Sequence, residues 1–106
     1  MADNVPELTN REFESFTKEG LVLLDFFAEW CMPCVMMAPV LEDLSEKLKG
    51  KIKIGKVNFE DNPQLAQKFS ISAFPTFVLF KEGKEVNRFI GAMSEDEFEE
   101  KLREYL

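Results

Sequence analysis

Histidine is absent from this 106-residue chain, cysteine occurs twice, and tryptophan and tyrosine occur once each. Without imidazole or a third cysteine, one copy of the chain cannot assemble a tetrahedral zinc site. Cations are in the minority, with 13 Lys and Arg against 20 Asp and Glu, a net charge of −7 and a pI near 4.6. That balance argues against nucleic acid as the main partner, because a phosphate backbone needs clustered Lys and Arg. No apolar run approaches the length of a membrane span, and the opening MADNVPELTN has neither a basic start nor an apolar leader stretch. A cytoplasmic protein without membrane association is therefore expected. No repeat, low-complexity tract or linker interrupts the chain, so one domain over residues 1–106 is expected.

What is present is apolar material: 45% of residues are hydrophobic and eleven are phenylalanine. That is enough to fold without covalent staples. Periodicity divides the chain into alternating strands and helices. Thr9 and Glu12 fit a capping box, with Leu8 and Phe13 placed as a hydrophobic staple, and this predicts a helix start. Ser94 with Glu97, and Met93 with Phe98, repeat the device before a terminal helix whose face carries Phe98, Leu102 and Tyr105. The nearly unbroken apolar run Leu21 to Ala28 reads as a central strand covered on both sides. Ile52 to Phe59 is a second strand, and Thr76 to Phe80 and Glu85 to Ile90 flank a hairpin turn at residues 81–84.

Two more helices fit between these strands. One opens at the cysteine pair, continues through Met37, Leu41, Leu44 and Leu48, and stops at Gly50. Pro39 should kink it, and Met36 and Met37 are expected to pack. The other is short, Pro63 to Phe69, with Asn62 as its cap. With an edge strand near Val5, the order predicts parallel strands joined by helices and closed by an antiparallel hairpin. The fold class is α/β, a mixed sheet covered on both faces.

Both cysteines stand in EWCMPCVMMAP, residues 29–39. Cys31 follows a strand and opens a helix, and helical spacing puts Cys34 on the same face, close enough to bridge. Pro33 is tolerated because first-turn amides have no intrahelical partner to lose. The helix start also favours an anion at Cys31. That matters because the thiolate is the attacking species: at an ordinary pKa of about 8.5 it is roughly 3% of the thiol at neutral pH, and about half once the pKa falls to about 7. A purely structural staple would close a tiny loop and restrict the unfolded chain little. A metal or iron–sulfur site would need ligands from a second copy. The spacing favours a redox centre over both.

These residues resemble the thioredoxin family over essentially the whole chain. DFFAEWCMPC carries Asp25, Ala28, Trp30, Cys31, Pro33 and Cys34 of its active-site segment, and Lys56, Pro75, Thr76 and Gly91 match farther on. The resemblance implies a thioredoxin fold, a mixed five-stranded sheet flanked by four helices, and reversible dithiol–disulfide exchange with no bound cofactor or metal. Cys31 would attack a substrate disulfide, and the more buried Cys34 would resolve the mixed disulfide. Disulfide-containing proteins would be the substrates, a thioredoxin reductase would regenerate the dithiol, and a monomer is expected.

Asp25 is the only charge in its strand. Alone it could be a strand-end carboxylate reaching water. The resemblance makes it a buried carboxyl of raised pKa that exchanges a proton with Cys34, with Lys56 as a modulating charge. Pro75 alone could be an ordinary strand-start proline. The resemblance implies a cis bond facing the cysteines, with the backbone of Phe74 free to pair with substrate. Trp30, Met32, Phe74, Pro75, Gly91 and Ala92 would then form an apolar docking surface. Met32 stands where glycine is usual, and with Pro33 it would tune the potential. Val35 replaces a frequent lysine. The rival to a reductase is a binding module of the same fold whose partner uses the surface and not the dithiol.

Overall fold

In the computed structural model, which describes residues 4–106, the apolar run that begins at Leu21 is the middle strand of a five-stranded sheet. Residues 1–3, the start of the stretch expected to lack a leader pattern, lie outside the described residues. The elements are β1 (Glu7–Leu8), α1 (Asn10–Thr17), β2 (Leu21–Phe27), α2 (Met32–Lys47), β3 (Lys53–Asn58), α3 (Pro63–Lys68), β4 (Thr76–Lys81), β5 (Lys84–Ile90) and α4 (Glu95–Arg103). The sheet order is β1-β3-β2-β4-β5, with β3 parallel to both β1 and β2, and β4 antiparallel to both β2 and β5. This is the mixed sheet with four helices that the resemblance implies.

Alternation along β2 explains the layers, since successive side chains point to opposite faces. Val22, Leu24 and Phe26 meet Phe13 of α1, Leu65 and Ala66 of α3, and Phe80. Leu23 meets Met37, Leu41 and Leu44 of α2, and Phe98 and Leu102 of α4. Each fully buried Leu or Phe contributes about 1.5–3 kcal/mol. Burial on this scale, not the short disulfide loop, holds the fold together.

Local signals account for most element ends. Thr9 and Glu12 form the expected box: the Thr9 amide donates to the Glu12 carboxylate at 2.7 Å and the Arg11 amide donates to the Thr9 hydroxyl at 3.3 Å. Leu8 and Phe13 pack in one cluster beside it. The β4–β5 turn places Glu82 and Gly83 both at positive φ, 50° and 84°, as a type I′ hairpin requires. One register irregularity interrupts the β4–β5 ladder, at Leu79/Phe80. Helix α2 runs on past Pro39.

Three expectations need correction. The edge strand is Glu7–Leu8, beyond Val5, which is buried against the α2 side of the sheet. At α4 only half of the capping box forms: the Glu97 amide donates to the Ser94 hydroxyl at 3.2 Å, and Ser94 alone acts as cap. Asn62 occupies the cap position of α3 but its side chain does not cap it. Its amide oxygen accepts from the Asn10 amide at 3.2 Å and its nitrogen donates to the Asn58 carbonyl at 3.0 Å. A buried side chain with those two partners joins the start of α1 to the end of β3, which outweighs a local cap.

Candidate active site

A tight turn after β2 sets the cysteines. The Cys31 amide donates to the Ala28 carbonyl at 3.1 Å, and Cys31 is then the extended N-cap of α2, at φ −90° and ψ 106°. Pro33 lies in the first turn, where its missing N–H leaves no helix bond unmade. Cys31 and Cys34 are joined by a disulfide with Cα atoms 5.3 Å apart. The Cys34 amide donates to the Cys31 sulfur at 3.2 Å. A donor at a helix start favours negative charge on that sulfur.

Exposure does not separate the pair, contrary to expectation. In the bridged form Cys31 is 4% exposed and Cys34 5%. The two sulfurs shield each other, and Ala28, Phe27 and Phe74 pack around them. What distinguishes them is polarity: Cys31 holds the cap position and receives the Cys34 amide, while Cys34 lies within the helix and lines a cavity behind it.

That cavity, about 350 Å³, is bordered by Asp25, Cys34, Val35, Lys56, Glu29 and Glu42 among others. Asp25 takes the position on β2 that follows Leu23 on the same face, and it is buried. Its Oδ1 has no hydrogen-bond partner among the described residues. Burial therefore raises its pKa from 3.8 to about 7, against a smaller opposing pull from the Lys56 ammonium. Lys56 is its direct neighbour across the β2–β3 ladder. The carboxyl is thus near half-protonated at neutral pH, in a space shared with Cys34.

On the outer side, the Phe74–Pro75 peptide bond is cis and Pro75 is buried. Thr76 Oγ1 donates to the Ala73 carbonyl at 2.7 Å, and the Gly91 amide donates to the Pro75 carbonyl at 2.9 Å. These bonds fix the loop against the end of β5. Gly91, at φ +95°, holds a backbone conformation that favours glycine. Phe74 packs on the disulfide, and exposed Trp30 meets it edge to face, with ring centres 5.6 Å apart. Met32, Pro33 and Ala92 are exposed, and Gly91 is half-buried.

Two features escaped the sequence reading. Phe59 supports Phe74 from beneath, with ring centres 4.8 Å apart. Nothing in its neighbourhood along the chain signals that contact. Met36, expected to pack, is exposed together with Val35, whereas Met37 is buried. Helical phase carried that signal, since Met37, Leu41 and Leu44 mark the buried stripe and Met36 falls off it.

A bridged Cys-x-x-Cys at a helix start, with a buried carboxyl behind it and a cis-proline loop in front, defines a dithiol–disulfide oxidoreductase. The Thioredoxin family model matches residues 4–104, and the chain belongs to the thioredoxin family. It is 48% identical to a thioredoxin of Chlamydia caviae over 87% of this chain and 89% of that one. It is 40% identical to a thioredoxin of Listeria monocytogenes over 96% and 99%, and 36% identical to one of Staphylococcus aureus over 96% and 98%. Its Cys31–Cys34 pair carries protein-disulfide exchange.

Proposed function

We propose that the protein works in the cytoplasm as a monomeric reductant of disulfide-bearing proteins and is recharged by a thioredoxin reductase. The Cys31 thiolate attacks one sulfur of the substrate disulfide, that bond breaks, and the other substrate sulfur leaves as a thiolate. Asp25 then takes the Cys34 proton, and Cys34 attacks the Cys31 sulfur. The second substrate sulfur is released, two electrons have passed to the substrate, and Cys31 is bridged to Cys34. Lys56 moderates the basicity of Asp25. Trp30, Met32, Phe74, Pro75, Gly91 and Ala92 dock the substrate chain, and Met32 with Pro33 adjusts the potential.

The observation that carries this reading is the 3.2 Å bond from the Cys34 amide to the Cys31 sulfur at the start of α2. It stabilises charge on Cys31 and not on Cys34. The partly protonated Asp25 on the Cys34 side supports the second step. No helix among the described residues is long and apolar enough to cross a membrane.

Limiting iodoacetamide on the reduced protein at neutral pH is expected to label Cys31 first. Cys34→Ser should trap mixed disulfides with insulin, and the unaltered protein should reduce insulin with dithiothreitol as electron source. Faster labelling of Cys34 would reverse the roles, and failure to reduce insulin would favour a binding module.

A further inference from the structure

The chain has five methionines, and two of them stand out on the surface of the helix that carries the cysteine pair. Met32 is 66% exposed and Met36 is 67% exposed, whereas Met37, the next residue, is 2% exposed. Met93 is half-buried against the core. Met32 and Met36 are one helical turn apart on α2, so they share a face, and Val35 lies between them on the same exposed side. Trp30 continues this apolar rim ahead of Cys31. An isolated exposed thioether needs no explanation, but this pair stands on the first turns of the helix that the redox disulfide opens.

We propose that Met32 and Met36 are a paired oxidation site through which a peroxide weakens substrate docking. The inference rests on the reductase reading above. A thioether sulfur attacks one oxygen of hydrogen peroxide, the O–O bond breaks, that oxygen stays on sulfur and the other leaves as water. Sulfur is oxidised by two electrons and the peroxide is reduced. In the bridged form no cysteine thiolate competes, so these thioethers are the reactive sulfurs at the site. Each sulfoxide replaces a flexible apolar tip with a strong dipole. A substrate segment seated on Cys31 must cross Met32, so it meets a polar rim that it cannot desolvate without loss. A methionine sulfoxide reductase returns two electrons and restores the thioethers.

The test begins with the bridged protein in dilute hydrogen peroxide, followed by mass mapping of each methionine. Met32 and Met36 should gain oxygen well before Met37 and Met93. After peroxide is removed and the dithiol regenerated, KM for insulin should rise by about fourfold for each methylene's worth of apolar burial that docking forfeits, with kcat little changed. Reduction of a small aromatic disulfide, which reaches Cys31 without crossing the rim, should keep its rate. In the M32L/M36L variant, whatever its starting KM, peroxide should no longer change KM. Oxidation of Met37 at the same rate, an unchanged KM after Met32 and Met36 are oxidised, or a peroxide effect that persists in M32L/M36L would each overturn the proposal. If the untreated protein does not reduce insulin, the failure precedes any peroxide step and falls on the reductase reading itself.

Discussion

On the face of the sheet under α1 and α3, Val22, Leu24 and Phe26 interlock with Phe13, Phe69 and Phe80, whose rings meet at 5.4–6.1 Å. On the face under α2 and α4, the same strand places Leu23 in a packed core and then Asp25 at the next position. There the packing opens into the cavity that reaches Cys34. One face is filled with rings, and the other leaves room for a carboxyl that water cannot fully solvate. The difference lies within a single strand. On one side β2 packs against rings, and on the other it carries Leu23 in the core and a buried carboxyl of raised pKa, separated from the rings by the thickness of the sheet.

The sharpest way to break the filled face is Phe80→Ala. Phe80 is buried among Phe13 and Phe69, and β4 pairs it with Val22, at the end of β2 away from the cysteines. The expected loss is about 3–5 kcal/mol, read as a lower urea midpoint. The redox potential of the folded variant should not move. A shift in potential would show that the two faces are coupled.

Asp25→Asn tests the other face and should have the opposite sign. Between pH 3.8 and about 7 the native protein keeps a proton on Asp25 that the unfolded chain has released, so stability falls as pH rises through that window. Above it the buried carboxylate costs about 4 kcal/mol at most. The variant should therefore gain stability at pH 8 and little at pH 4, while turnover near neutrality slows because Cys34 loses its proton acceptor. Equal turnover of both proteins across a pH series would remove Asp25 from the proton path.

The smallest effect is expected at Met32→Gly, on the rim. Glycine makes the first turn more pliable, and methionine carries no charge to hold a thiolate. The equilibrium should shift by at most about 1.4 kcal/mol, or about 30 mV for a two-electron couple. Equilibration against a glutathione buffer measures it. Met32→His should move the protein further, toward an oxidant.

The succession of strands and helices, the two covered faces and the cysteine pair were legible because each rests on a pattern close in sequence. The Leu21 to Phe27 run announced a doubly covered strand, and Thr9 with Glu12 announced a helix start. Asp25 was legible as the one charge in an apolar run, and its link to Lys56 became physical only through the β2–β3 register. Relations across the fold were not readable. Asn62 spends its amide on Asn10 and Asn58, and Phe59 meets Phe74 from another element. The relative exposure of Cys31 and Cys34 also failed, because a bridge changes what each sulfur shows to water.

The margins of the sheet carry a consequence of their own. On one side it ends in a strand of two residues, too short to template another chain. On the other, β5 presents Lys84 and the Glu85–Arg88 ion pair, and the irregular register at Leu79/Phe80 interrupts its ladder. Both borders therefore discourage a neighbouring backbone from extending the sheet. Disulfide exchange holds a foreign polypeptide by a single sulfur bond partway through each cycle. Because neither border adds backbone pairing to the contacts around Cys31, cutting the one covalent tether leaves only those contacts to release.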